Sequence, residues 1–247
     1  MRRLALIPAR YAATRFPGKL VQRIGGKEVI RHTYDNTVAT GLFDAVMVVT
    51  DSDLIYDLIV SHGGEAVMSI DDHESGTDRI AEAAADLDYE LIVNVQGDEP
   101  FVNVRALELL LNCFDGAEGK SVRVASLMQI MKEQKLIEDP NYVKVAVDLS
   151  GNALFFSRSV IPYQRDITLT PVYYEHIGIY AFRKQALLDF IQWPLTPLES
   201  AEKVECLRYL EHGVPIKMVL TEYMGVEIDT IEDLQRAESY LKEYQKR

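Results

Sequence analysis

The sequence predicts an α/β fold with a mainly parallel sheet and helices on both faces, and three features predict it. Short apolar, β-branched runs alternate with longer amphipathic stretches. Several runs, such as LIVNV, are almost continuously apolar, as in a sheet covered on both sides. The chain has 247 residues, 48% of them hydrophobic, enough for one large core without staples. Strands are read at Leu4–Pro8, Ala45–Thr50, Glu65–Met68 and Leu91–Gln96, the first running from edge to core. Helical spacing covers Glu28–Thr40, Asp53–His62, Thr77–Leu87 and Val104–Phe114, with Ser52 and Thr77 among the capping residues.

After residue 120 strands dominate: Val122–Gln129, Val143–Asp148, Ala153–Ser157 and His176–Phe182. The stretch VKVAVDLSGNALFFS reads as a β-hairpin turning at Ser150-Gly151-Asn152. Helices resume at Lys184–Gln192, Glu199–His212 and Ile231–Tyr244. There is no repeat, low-complexity segment or linker, so 1–247 is read as a single domain with a β-rich excursion over about 120–182.

Lys and Arg total 26 against 38 Asp and Glu, a formal charge of −12. That balance argues against nonspecific nucleic-acid binding and against docking on an anionic membrane. The charge is uneven: residues 1–31 hold eight basic side chains and one acid, Glu28, a surplus of +7 that leaves −19 on the rest. No apolar run approaches the ~18 residues that span a bilayer. The opening MRRLALI is cut by Pro8 and Arg10 before it reaches the length of a signal-peptide core. Cys113 and Cys206 lie far apart in helix-like apolar patterns and read as buried thiols, which suits a cytoplasmic chain.

The candidate chemistry begins in LALIPARYAATRFPGKL, where Arg10, Arg15 and Lys19 follow the first strand. Pro17 and Gly18 oppose a helix there, so the segment is a loop at the carboxyl end of a strand, where open α/β sheets bind ligands. Three cations on one loop suit a nucleotide triphosphate, although a solvated basic loop would look the same. The GxxxxGK[ST] pattern of a P-loop is absent. Strand LIVNV then runs into Gln96-Gly97-Asp98-Glu99-Pro100, placing a carboxylate beside that crevice. Asp98 is the better Mg²⁺ ligand, because Glu99 would point the other way in extended chain; a turn or capping role is the alternative. Gly97 allows close backbone approach. Asp229 follows a short strand in GVEID and precedes the last helix, a position open to ordinary N-capping, which Thr230 could also supply.

In order along the chain, IPARYAATRFPGK, DHESGTDRI, NVQGDEP, YVKVAVD, FFSRSVIPY, EHIGIYAF, PLESAEKVECLRYLEHG and IDTIEDL resemble the 3-deoxy-manno-octulosonate cytidylyltransferases, or CMP-Kdo synthetases. The resemblance runs from about residue 4 to about 238. It implies a Rossmann-like fold of the nucleotide-diphospho-sugar transferase type. The activity implied is cytidylyl transfer from CTP to Kdo, giving CMP-Kdo and diphosphate for lipopolysaccharide biosynthesis. Mg²⁺ as cofactor and a cytoplasmic homodimer are implied as well. By that resemblance Arg10 and Lys19 hold the triphosphate with Arg15 in the same loop, and Ser75 and Arg79 lie near the cytidine. Asp98 and Asp229 are the metal positions, and Arg10, Lys19 and Asp98 carry catalysis. Gln96, Arg158, His176, Tyr180 and Glu205 match Kdo-binding positions; extended alternation puts His176 and Tyr180 on one face. The chain has Glu175 where the family commonly has a basic residue. Another acidic sugar, an 8-amino Kdo or a sialic acid, is an alternative acceptor, and a non-catalytic nucleotide-binding regulator is the alternative of another class. The hairpin region 143–163, with Phe155, Phe156 and Tyr163, is the expected subunit interface.

Overall fold

Leu4, Ala5, Leu6 and Ile7 are fully buried, so the strand that carries them needs neighbours on both edges and cover on both faces. A computed structural model describes residues 1–12, 16–71, 73, 75–222 and 225–244, and the chain divides into two units, Met1–Val104 with Met224–Arg247, and Arg105–Tyr223. In the first unit β1 (Arg3–Ala9) is followed by a small antiparallel pair, β2 (Arg23–Ile24) and β3 (Lys27–Glu28), and by α1 (Val29–Ala39). Then come β4 (Ala45–Thr50), α2 (Asp53–Ser61), β5 (Ala66–Met68), α3 (Gly76–Ala85), β6 (Leu91–Asn94) and, from the far end of the chain, the last helix, Ile231–Tyr244.

The main-sheet strands of this unit are all parallel, in the order β6–β1–β4–β5. β1 is therefore interior, not an edge strand, because its apolar run can be buried only between two neighbours. The chain goes to one side of β1 for β4 and β5 and to the other for β6. β1 is thus the point where strand order reverses, and the loops leaving β1 and β6 diverge around a crevice.

The second unit opens with α4 (Val104–Asn112) and the short α5 (Gly116–Gly119), then β7 (Val124–Met131), α6 (Gln134–Glu138), β8 (Lys144–Val147) and β9 (Ala153–Ser157). It continues through β10 (Tyr173–Arg183), α7 (Lys184–Phe190), α8 (Pro197–Glu202), α9 (Leu207–Glu211) and β11 (Ile216–Leu220). The final helix is α10. β10 runs antiparallel to β7 and β8, and β11 parallel to β7. The predicted hairpin is present as β8–β9, its turn tied by Asp148, whose carboxylate accepts from the backbone N–H of Ser150 and Asn152, both at 2.8 Å. The fold class read from sequence therefore holds, parallel in the first unit and mixed in the second.

Four local readings are corrected. The helix expected over Glu199–His212 is two helices: Pro197 starts α8 early behind a Thr196 capping box, and Lys203, at φ 54°, turns the chain out of helical register. Residues 225–228, expected as a strand before Asp229, pair with no strand in the structure. Phe156 is wholly buried against His176, so it cannot belong to an exposed interface, whereas Tyr163 is 84% exposed and Phe155 is half-buried. Cys206 is buried as expected, but Cys113, just past the end of α4, is only half-buried.

An aromatic column organises the second unit. Ring centroids step from Phe156 to His176 (4.9 Å), Tyr180 (5.3 Å), Phe182 (5.7 Å), Tyr209 (5.9 Å) and Phe190 (5.0 Å). The guanidinium of Arg208 lies 3.9 Å from the Phe190 ring centroid and makes a two-pronged ion pair with Glu199, at 2.7 and 2.6 Å. Both partners are nearly buried, at 7% and 5% exposure, so neither tolerates loss of the other. Arg208→Leu should cost about 3–5 kcal/mol in a urea unfolding series, because it strands the Glu199 carboxylate.

His176 shows the column's effect on charge. Burial among the rings pushes its pKa down to about 4, so it is a neutral ring at neutral pH, with Ser126 Oγ 3.2 Å from Nε2. The unfolded chain protonates this residue near 6.5 and the folded chain only near 4. Its contribution to stability is therefore complete above about pH 6.5 and is lost as pH falls toward 4. The slope should amount to no more than about 3 kcal/mol. Urea midpoints of the protein and of His176→Phe between pH 4 and 7 should converge as pH falls, and parallel curves would contradict this.

Candidate active site

The loop after β1 is shaped by Gly18, at φ 69°, a left-handed conformation that only glycine adopts readily. Its N–H bonds the Tyr11 carbonyl at 3.1 Å, and the next residue, Lys19, begins a 3₁₀ turn over Lys19–Val21. The loop after β6 is a turn, not the extended chain expected, with the Glu99 N–H donating to the Gln96 carbonyl at 3.1 Å. Alternation therefore does not decide between Asp98 and Glu99; the turn buries Glu99 to 8% exposure while Asp98 faces the crevice. Gly97 is required there, since a Cβ would lie 2.8 Å from the Pro8 carbonyl oxygen at the end of β1. The Gly97 carbonyl accepts from Thr33 Oγ1 at 2.9 Å, locking the turn to α1.

The third segment precedes α10. The Ile228 N–H donates to the Asp98 carbonyl at 3.0 Å, which brings Asp229 alongside Asp98. Capping of α10 falls to Thr230: its Oγ1 accepts from the Asp233 N–H at 3.2 Å and donates to the Asp233 carboxylate at 2.9 Å. The Asp229 side chain is thereby directed elsewhere.

It meets Lys19. The Lys19 ammonium donates to Asp98 Oδ2 at 2.5 Å and to Asp229 Oδ1 at 2.7 Å, with the three side chains 16%, 15% and 26% exposed. Burial works to lower the lysine pKa, but the charge of Asp98 and the hydrogen bonds to both aspartates outweigh it and hold the pKa above its ordinary value. Glu227, which the sequence reading passed over, brings a third carboxylate: one oxygen from each of Asp98, Glu227 and Asp229 lies within 4.8 Å of the others. All-oxygen ligands of this charge suit a hard divalent cation, and two of them already grip a cationic group, so the residues fit Mg²⁺.

Lys19, Asp98 and Asp229 line a cavity of about 320 Å³ together with Pro8, Ala9, Arg10, His73, Ser75 and Arg79. Arg10 is solvent-exposed at its rim. Ser75 is the N-cap of α3, accepting from the Asp78 N–H at 3.1 Å and donating to the Asp78 carboxylate at 2.9 Å. Arg79 is 4% exposed and donates to Ser69 Oγ and, at 2.7 Å, to Asp51. Gln96 lines the same cavity, its amide 3.3 Å from Asn94 Oδ1. Arg15 lies outside the described residues. His73, between Asp72 and Glu74, is a lining residue that the sequence reading quoted within a motif but did not single out; its ring carries no recognisable spacing signal.

The remaining sugar candidates belong to the second unit. His176 and Tyr180 are neighbours despite a register shift between Ile177 and Tyr180, which leaves both rings on one face. Burial, then the nearby Cys206 and Glu205, holds the Tyr180 phenol well above its ordinary pKa. Arg158 follows β9 directly, and its guanidinium donates to the carbonyls of Glu202 (2.7 Å), Pro140 (2.8 Å) and Lys203 (3.3 Å). Glu175, opposite Lys144 in the ladder, accepts from Gln129 at 2.8 Å, and burial raises its pKa.

A cytidylyltransferase family model matches residues 4–219. The 3-deoxy-manno-octulosonate cytidylyltransferase of Flavobacterium johnsoniae is 58% identical over 98% of this chain and 100% of its own. That of Christiangramia forsetii is 51% identical over 96% of each. A solved CMP:2-keto-3-deoxy-manno-octonic acid synthetase in complex with CTP superposes with a TM-score of 0.93 at 33% identity, covering 99% of this chain and 100% of that one. A 4-diphosphocytidyl-2C-methyl-D-erythritol synthase from Anaerococcus prevotii shares the fold, with a TM-score of 0.64 at 18% identity over 98% and 99%. With its matching motifs, its fold and near-complete coverage of relatives at this identity, the chain belongs to the 3-deoxy-manno-octulosonate cytidylyltransferase family.

Proposed function

We propose that the chain transfers the cytidylyl group of CTP to the anomeric hydroxyl of Kdo, releasing diphosphate and forming CMP-Kdo for lipopolysaccharide biosynthesis. The observation that carries this is the Lys19 ammonium clasped by Asp98 and Asp229 at 2.5 and 2.7 Å inside a cavity that Arg10 also lines. Mg²⁺ is the proposed cofactor, with Asp98 and Asp229 as its ligands; bound, it supplies charge neutralisation at the phosphates.

The rest of the chemistry belongs to the protein's own groups. The sugar hydroxyl attacks the α-phosphorus, a new O–P bond forms, the bond from that phosphorus to the oxygen bridging the β-phosphate breaks, and the hydroxyl proton is released to solvent. Catalysis of such a displacement is mainly positioning and electrostatics. Lys19 and Arg10, with Arg15 in the same loop, hold the triphosphate and meet the negative charge that grows toward diphosphate. Ser75 and Arg79 border the cytidine. Lys19 places two of its three N–H donors on the carboxylates, so its cation is shared between that pair and the phosphates. For the acidic sugar, Gln96, Arg158, His176, Tyr180 and Glu205 are the proposed contacts. Arg158 meets a carboxylate with whichever N–H groups its carbonyl partners leave over.

The protein is proposed to work in the cytoplasm as a homodimer; among the described residues no helix is long and apolar enough to cross a membrane. Tyr163, Ile167 and Leu169, exposed by 84%, 87% and 64%, are the apolar surface proposed to face the second subunit. A Tyr163→Asp/Leu169→Asp variant should shift the mass measured by light scattering from dimer to monomer, and an unchanged mass would remove this face from the interface.

Diphosphate release from CTP plus Kdo tests the reaction itself. Lys19→Ala should lower kcat by about 10²–10³-fold. Asp98→Asn should abolish Mg²⁺-dependent turnover while the far-ultraviolet circular dichroism stays native. Near-normal rates in either variant would sink the assignment of that residue.

A further inference from the structure

The cavity's two sides differ in how their charges are matched. On one side Lys19 answers two aspartates. On the other, the segment leading into α3, each polar side chain that lines the cavity holds a partner of its own: Arg79 with Asp51 and Ser69, Ser75 with Asp78, and His73 with Glu82. A wall so balanced has little to offer a triphosphate and suits the uncharged end of a nucleotide.

His73 differs from its neighbours in one respect. Its Nε2 lies 2.6 Å from Glu82 Oε2, and an ionised carboxylate only accepts, so Nε2 carries the hydrogen. Glu82 also accepts the N–H groups of Ile70 (2.7 Å) and Asp71 (3.2 Å), and these bonds with His73 outweigh burial to hold its pKa below the ordinary carboxylate value. One carboxylate thus fixes both the backbone of this loop and the tautomer of the ring. Glu82 itself does not line the cavity, whereas His73 does. The remaining polar atom of the side chain is Nδ1, which in the neutral ring presents a lone pair and no hydrogen.

We infer that His73, oriented by Glu82, is a specificity residue for the nucleobase: Nδ1 accepts a hydrogen bond from the exocyclic amino group of cytosine. Uracil carries a carbonyl oxygen at that position, and two acceptors facing each other leave both unpaired, which a partly buried site penalises. The phosphates, acceptors only, find nothing to bind at Nδ1, so the same atom favours base over triphosphate on this wall. The inference rests on the reading of the cavity as a CTP site and adds the group that tells CTP from UTP.

Steady-state diphosphate release with Kdo, using CTP, UTP and a CTP analogue with hydrogen in place of the 4-amino group, tests it. His73→Phe keeps a ring of similar size, leaves Glu82 its bonds from the Ile70 and Asp71 N–H groups, and removes the Nδ1 acceptor. The native protein should lose about tenfold or more in kcat/KM when the amino group is removed, most of it in KM. In His73→Phe that loss should shrink to about twofold or less, and the CTP:UTP ratio should fall by about tenfold with UTP itself little changed. A variant that slows all three nucleotides alike would show a structural role and overturn the inference. If the variant fails to fold, equal use of CTP and its 4-deamino analogue by the native protein overturns it independently. Absence of any turnover by the native protein with CTP and Kdo would instead defeat the proposed reaction, a separate outcome.

Discussion

Two carboxylates that share one ammonium constrain the first unit. Asp98 and Asp229 would repel each other across the crevice, and each comes from a different loop; Lys19, from a third, holds them at 2.5 and 2.7 Å. The surrounding backbone devices serve that meeting. Gly18 turns the first loop so that Lys19 reaches in, Gly97 lets the second loop press against Pro8, and the bond from Ile228 to Asp98 ties the third loop to the second. Thr230 caps α10 and so leaves Asp229 available. Because β1 lies where strand order reverses, the loops after β1 and β6 open onto a common crevice without any special contrivance of sequence.

Such a triad is suited to exchange. An ammonium bound to two acids is stable while nothing better is present, and oxygen ligands prefer a divalent cation over a lysine. On the proposed function the lysine would then be a mobile point charge within reach of phosphate, a use for which lysine is better adapted than arginine. The arginines of the site behave differently. Arg79 is nearly buried and paired to Asp51, a fixed part of the wall, whereas Arg10 stands at the rim in solvent. The second unit works by desolvation: its aromatic column keeps His176 neutral and the Tyr180 phenol protonated. Both are therefore polar groups without net charge at neutral pH.

Most of the fold was legible because the strands and helices carry strong local patterns. Ala45–Thr50, Ala153–Ser157 and Ile231–Tyr244 have the bounds read from sequence. The failures occurred where local pattern competes with a distant partner. The helix over Glu199–His212 breaks at Lys203, a residue with good helical propensity, and the buried pair of Glu199 and Arg208 joins the two resulting pieces. Phe155 and Phe156 alternate along β9, yet which of the two faces is covered depends on β10, far along the chain. The segment before Asp229 has β-branched residues but follows Asp98 by a single backbone bond instead of joining a ladder.

Composition, the surplus of basic residues in the first thirty-one and the motif order determined by themselves the family and the cast of charged residues. These are properties of residue identity and spacing, which survive without coordinates. Only the tertiary structure decided that Lys19 faces the two aspartates, that Glu227 joins them, and that His73 is held by Glu82 within the same cavity. Each of these depends on contacts between residues from 9 to 210 positions apart, and the direction of a side chain across such a gap is set by packing and turn geometry, which the local pattern does not encode.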